Sequence, residues 1–213
     1  MKSSDECRFC GIIAGEFNYT DIDQPFACID DYLAVASIGA MIEGWSLIIP
    51  REHQLSMKGF YDRSKFSDFL NSVIPSIVNR YGSLIAFEHG ANKKGSITSC
   101  GTDHAHLHLV PMNESLLPGL QTSDLMWVKC HTSDISSIVK DSEYLFYTDI
   151  GYKNEWQDPL GYLHVLNRPI SQYFRQLIAE RIGCFSEFDY KKYPNLHRAK
   201  QTRRVLSGSL HSY

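Results

Sequence analysis

The stretch Asp103-His-Ala-His-Leu-His-Leu-Val-Pro111 constrains this chain more than any other, because its three histidines alternate with Ala105, Leu107 and Leu109. Such alternation fits an extended strand, where residues two apart share a face and lie roughly 6.6 Å apart. His104, His106 and His108 then point to one side, and the apolar trio turns to a packing partner on the other. Three neighbouring imidazoles cannot all be buried as cations without severe cost, so they need a metal, a phosphate or mutual hydrogen bonds. Backbone-satisfied core histidines are ordinary singly and improbable three at a time in strict alternation.

The flanking segments supply the rest of an α+β core. Residues 25–30, 32–38 and 44–50 read as strands, the last stopped by Pro50. From Phe60 to Tyr81 apolar residues recur at three- and four-residue intervals (Phe66, Phe69, Leu70, Val73, Ile74, Ile77, Val78), which predicts an amphipathic helix kinked or ended by Pro75. Residues 83–87 and 104–110 are strands around a Gly- and Ser-rich loop, 90–103. Beyond Pro111 a polar stretch, 112–125, leads to short strands near Trp127, at 144–148 and at 161–166. A helix follows, with Ser171 as N-cap and Gly183 just past its end. The basic tail 191–204 reads as a solvated or frayed terminus, with a nucleic-acid contact as the alternative.

At 213 residues, 43% hydrophobic and 21% charged, the chain suits one generous domain or one with an appendage. A net charge of −3 argues against general attraction to nucleic acid or an anionic membrane, so a bound anion needs a local site. The N-terminal stretch MKSSDECRFCG has no apolar core for a secretory signal, and no run of about 18 apolar residues spans a membrane. The six cysteines are therefore expected as thiols or metal ligands, and the location as cytoplasmic.

A second motif is Cys7-Arg-Phe-Cys10. Two thiolates at this spacing can chelate zinc if two further nitrogen or sulfur ligands join them, and His53 and His104 are the candidates. A reduced or redox-active pair is the alternative.

Taken in order, Cys-x-x-Cys-Gly-Ile-Ile-Ala-Gly-Glu (7–16), Ile48-Ile-Pro-Arg-Glu-His53 and His104-Ala-His-Leu-His-Leu-Val-Pro111 resemble the histidine-triad superfamily of nucleotide hydrolases and transferases. The resemblance covers about residues 5–111. It implies a histidine-triad-like antiparallel sheet with a crossing helix over 1–111. Residues 112–213 match nothing in the family, and their apolar side chains and direct run-on from Pro111 without a flexible linker lead us to expect a C-terminal α/β extension packed on that core. The resemblance also implies His106 as a nucleophile forming a phosphoramidate, His108 as a contact to the phosphoryl oxygens, and His104 as a zinc ligand or phosphate contact. Structural zinc would sit on Cys7, Cys10, His53 and His104. Transferase branches typically have glutamine at the third triad position, so His108 favours hydrolysis.

Three departures bear on the nucleoside. Trp45 stands where many members have histidine, Ser37 falls near a ribose-binding aspartate, and the 92–102 loop lacks the usual Gly-Gln-Ser. That loop keeps Asn92, Ser99, Gly101 and Thr102 as candidate substrate contacts, its glycine letting backbone amides approach a phosphate. Glu88 and His89 face the site or cap a strand.

The expected function is a phosphohydrolase that cleaves a nucleotide phosphoanhydride, phosphoramidate or phosphoester bond. The alternatives are a hydrolase with catalytic zinc on the three histidines, or a non-catalytic nucleotide-binding protein. Expected partners are a nucleotide or nucleotide conjugate. The resemblance suggests a homodimer, although the extension could occupy that surface.

Overall fold

The computed structural model describes residues 7–152 and 155–209. Residues 1–6, part of the stretch read for a secretory signal, lie outside the described residues. Helices α1 (Arg8–Ala14) and α2 (Thr20–Asp23) precede strands β1 (Ala27–Cys28), β2 (Tyr32–Ala36) and β3 (Ser46–Pro50). Helix α3 (Ser64–Tyr81) then leads to β4 (Leu84–Gly90) and β5 (Leu107–Pro111). The second half supplies α4 (Leu117–Gln121), β6 (Val128–His131), α5 (Ile135–Val139), β7 (Tyr144–Gly151), β8 (Leu160–Val165), α6 (Tyr173–Arg181) and α7 (Leu196–Ser209). The α+β class is as expected. One eight-stranded sheet runs β1-β2-β3-β5-β4-β7-β8-β6, and each neighbouring pair is antiparallel.

Both faces of the sheet are covered. The seven apolar residues of the α3 stripe are all buried. They pack with Ala105, Leu107 and Leu109, the apolar side of the histidine alternation. Burial of such a stripe stabilises by roughly 10–20 kcal/mol before chain entropy is counted. Pro75 lies inside the helix, removing one backbone donor without ending it. The opposite face gathers Phe9 and Ile12 of α1, Trp45, Phe87, Leu120 of α4, and Phe174 and Ile178 of α6.

β5 starts at Leu107, three residues later than the alternation predicts. The β3–β5 register, Ser46↔Leu109 to Ile48↔Leu107, would continue through His106 opposite Ile49 to Ala105 opposite Pro50, which has no N–H to donate. The Ala105 N–H turns instead to the Gln54 carbonyl at 2.6 Å. The side chains still alternate across this break.

The segment after Pro111 extends the same sheet. β7 lies along β4 from Leu84↔Gly151 to Gly90↔Tyr144, so the β4 edge is covered from within the chain. Two local expectations are corrected. Gln172, not Ser171, precedes α6, in a left-handed conformation (φ 56°) without a side-chain cap, and its N–H is drawn to the Cys100 sulfur at 3.3 Å. The basic tail is not a frayed terminus: it forms α7, whose Ala199, Thr202 and Leu206 are buried. Among the described residues no helix is long and apolar enough to cross a membrane.

Candidate functional site

Cys7 caps the N-terminus of α1 and Cys10 lies one turn on. His53 follows β3, and His104 comes from the segment before β5. Their four ligand atoms lie within 4.8 Å of one another. Cys10 Sγ is 3.1 Å from His53 Nδ1 and 3.5 Å from His104 Nδ1, and Cys7 Sγ is 3.5 Å from the same His104 atom. Ligand bonds of about 2.3 Å to sulfur and 2.0–2.1 Å to nitrogen put tetrahedral edges at roughly 3.3–3.8 Å, so the set fits a four-coordinate metal. His104 Nε2 lies 2.8 Å from the Pro50 carbonyl. A carbonyl can only accept, so Nε2 carries the proton and Nδ1 turns its lone pair to the sulfurs. Without a metal, burial and the neighbouring Cys7 sulfur push the Cys10 thiol up to about 11.

The next two histidines are held differently. His106 Nδ1 is 2.8 Å from the His104 carbonyl, so Nδ1 is the donor and Nε2 keeps its lone pair. Trp45 Nε1–H donates to His108 Nδ1 at 3.0 Å, which places the His108 proton on Nε2. The two rings lie 4.8 Å apart. Burial holds His106 down to about 4, against its bond to the carbonyl. His108 lies well below its ordinary value through burial and the neighbouring His106, His89 and Arg175. Both rings are therefore neutral near pH 7, one offering a lone pair and the other an N–H.

They line a cavity of about 450 Å³. His89, Ser99, Gly101 and Thr102 also line it, as does Ser37. Gly101 has φ 85°, and a side chain there would also press on Lys191 Nζ at 3.2 Å, so the loop needs glycine. Asn92 is not brought to the cavity: it is exposed and donates to the Asp141 carbonyl. Glu88 and His89 point to opposite sides of the sheet. Glu88 accepts from the Tyr61 hydroxyl (2.7 Å), the Tyr144 hydroxyl (2.6 Å) and the Met57 N–H (2.6 Å), on the face of α3. His89 Nε2 accepts from the Phe174 N–H at 3.3 Å, and burial holds its ring down to about 3.

Among the lining residues that sequence reasoning missed are Arg8, Tyr19, Arg175, Tyr190 and Lys191. One had a signal. Arg175 falls inside the buried stripe of α6 with Phe174, Ile178 and Ala179, and a charge in such a stripe demands a partner or a role. Arg8 sits beside Cys7 and is bound to the buried Asp23. Tyr190 and Lys191 belong to a loop without periodicity.

The structure is similar to a hypothetical histidine triad nucleotide-binding protein from Sulfolobus tokodaii strain7, at 13% identity over 96% of this chain and 92% of that one, with a TM-score of 0.45. It is also similar to a Hit-like protein involved in cell-cycle regulation from Bartonella henselae, at 18% identity over 48% of this chain and 74% of that one, with a TM-score of 0.35. No protein-family model and no curated protein matches this chain.

Proposed function

We propose that this chain is a histidine-triad phosphohydrolase that cleaves a nucleotide conjugate through a covalent intermediate on His106. The observation that carries the reading is the bond from His106 Nδ1 to the His104 carbonyl, which leaves Nε2 as a lone pair at the cavity. In the first step Nε2 attacks phosphorus. An N–P bond forms, a P–O or P–N bond breaks, and the leaving group takes its electron pair. The positive charge that develops on the ring is stabilised by the Nδ1–H bond already in place, and the His108 Nε2–H faces the charge building on the phosphoryl oxygens. Water then attacks phosphorus, the N–P bond breaks, and a proton is released with the freed phosphate.

The Cys7, Cys10, His53 and His104 set suits structural zinc, which would tie α1 to the segment that presents His106. Catalytic zinc on the three histidines finds no support, since both His104 nitrogens are engaged elsewhere. Nucleotide conjugates and dinucleoside polyphosphates screened for released mononucleotide test the reading. Mass spectrometry of acid-labile phosphorus on the His106 peptide tests the intermediate. Turnover without label on His106 would refute the covalent step, and binding without turnover of any substrate would favour a nucleotide-binding protein.

A further inference from the structure

Arg175 is buried, with 3% of its surface exposed, yet among the described residues it forms no ion pair. Its Nε donates to the Phe188 carbonyl at 2.7 Å, and one terminal nitrogen donates to the Gly39 carbonyl. Its guanidinium carbon lies 4.8 Å from the Trp45 ring centre and 5.8 Å from that of Tyr190. Asp189, an acidic group that acts on it through space, is 3.8 Å from Lys192 Nζ. Burial holds Arg175 down to about 10, so it remains a cation at neutral pH.

Among the described residues no carboxylate lines the cavity that Arg175 faces. Arg8, the other arginine there, is already answered by Asp23. Lys191, exposed at the cavity, has no ion pair among the described residues. A buried cation without a counter-charge is costly unless a ligand supplies one. Ring contacts lead to it in steps: His106 to His108 at 4.8 Å, His108 to Trp45 at 5.8 Å, and Trp45 to Arg175. Arg175 stands three contacts from His106 along this path. Its charge is thus placed for an anion next to the reacting phosphorus, not for that phosphorus itself.

We propose that Arg175 and Lys191 form a second anion subsite, so that the ligand of this cavity carries two linked phosphates, one at His106 and one at the guanidinium. This rests on the reading of the cavity as a phosphate site and assigns its specificity to residues beyond Pro111. A planar guanidinium can grip a phosphate with two parallel N–H bonds, which a lysine at the same point cannot.

The test is calorimetric titration of the full chain with inorganic pyrophosphate and with orthophosphate. Wild type should bind pyrophosphate at least tenfold more tightly. Arg175→Gln should erase that preference, Lys191→Gln should reduce it severalfold, and Arg175→Lys should restore part of it. His106→Asn should keep it. Should Arg175→Gln fail to fold, judged by circular dichroism, Arg175→Lys and Lys191→Gln carry the comparison. Equal affinity of wild type for the two anions, or a preference untouched by all three subsite variants, overturns the proposal. Nucleotide turnover with no pyrophosphate preference removes the subsite and leaves the hydrolase reading. Pyrophosphate preference with no turnover of any nucleotide does the reverse.

Discussion

Trp45 donates its indole N–H to Nδ1 of His108 across 3.0 Å, and because an indole nitrogen can only donate, the bond decides which nitrogen of His108 bears the proton. Trp45→Phe removes the donor and leaves a buried acceptor without a partner, a cost of about 1–3 kcal/mol. The expected result is a folded, less stable protein whose kcat falls roughly tenfold. Nitrogen NMR should then find the His108 proton shared between the two ring nitrogens. An unchanged tautomer would show that Trp45 does not set it.

His106→Asn should remove turnover while the fold survives, since the ring packs against Phe9 and His108 and Asn leaves those neighbours in place. Loss of the nucleophile should lower kcat by several decades. If more than about a tenth of wild-type kcat remains, a barrier change below roughly 1.4 kcal/mol, His106 is not the nucleophile.

Purified protein should contain close to one zinc per chain. Cys10→Ser should lower both zinc content and Tm, because Cys10 is the ligand within 3.5 Å of both imidazoles. Zinc binding must displace the proton that burial and Cys7 help retain on Cys10, so zinc should be lost on acidification. Full thermal stability of a zinc-free wild-type preparation would rule out a structural metal.

Glu88 should make stability depend on pH in an unusual direction. Burial raises its carboxyl to about 7 from an ordinary 4.5, and the bonds from Met57, Tyr144 and Tyr61 offset only part of that. Because the folded value is the higher one, the folded chain holds a proton that the unfolded chain releases. The stabilisation is complete below about pH 4.5 and is lost as pH rises through about 7. Glu88→Gln lacks this titration, so its stability relative to wild type should climb over that window, by on the order of 2–3 kcal/mol. Denaturant midpoints for both proteins across the range measure it, and parallel curves would contradict it.

Residues 112–213 are proposed to complete the core and not to stand apart from it. A fragment of residues 1–118 keeps β5 beside β4 but loses β7, leaving a row of backbone donors and acceptors exposed. Aggregation or a broad melt is expected, with a lowered kcat/KM. A soluble, cooperatively melting fragment with unchanged kcat/KM would establish an independent extension.

Much of this was legible in the chain because the signals were local. The α3 stripe and the alternation across β5 depend on near neighbours, and all seven stripe positions are buried. The Cys-x-x-Cys pair and the two added histidines also meet as expected. What escaped depends on distant partners. Nothing near Pro50 announces that its missing N–H ends the ladder at Leu107. Arg175 meets Trp45 across 130 positions of sequence, and Gly39 meets it across 136. The helix from Leu196 was obscured because its charged residues outnumber the three buried ones that seat it on the core.

The Arg175 guanidinium and the His106 ring face one cavity although 69 positions of sequence separate them. Were these groups supplied by two separate molecules, dilution would part them and the catalyst would obey mass action. Here the intervening backbone acts as a tether, fixing the local concentration of one group around the other whatever the amount of protein in solution. Assembly of the cavity is accordingly a first-order event, completed when the chain folds.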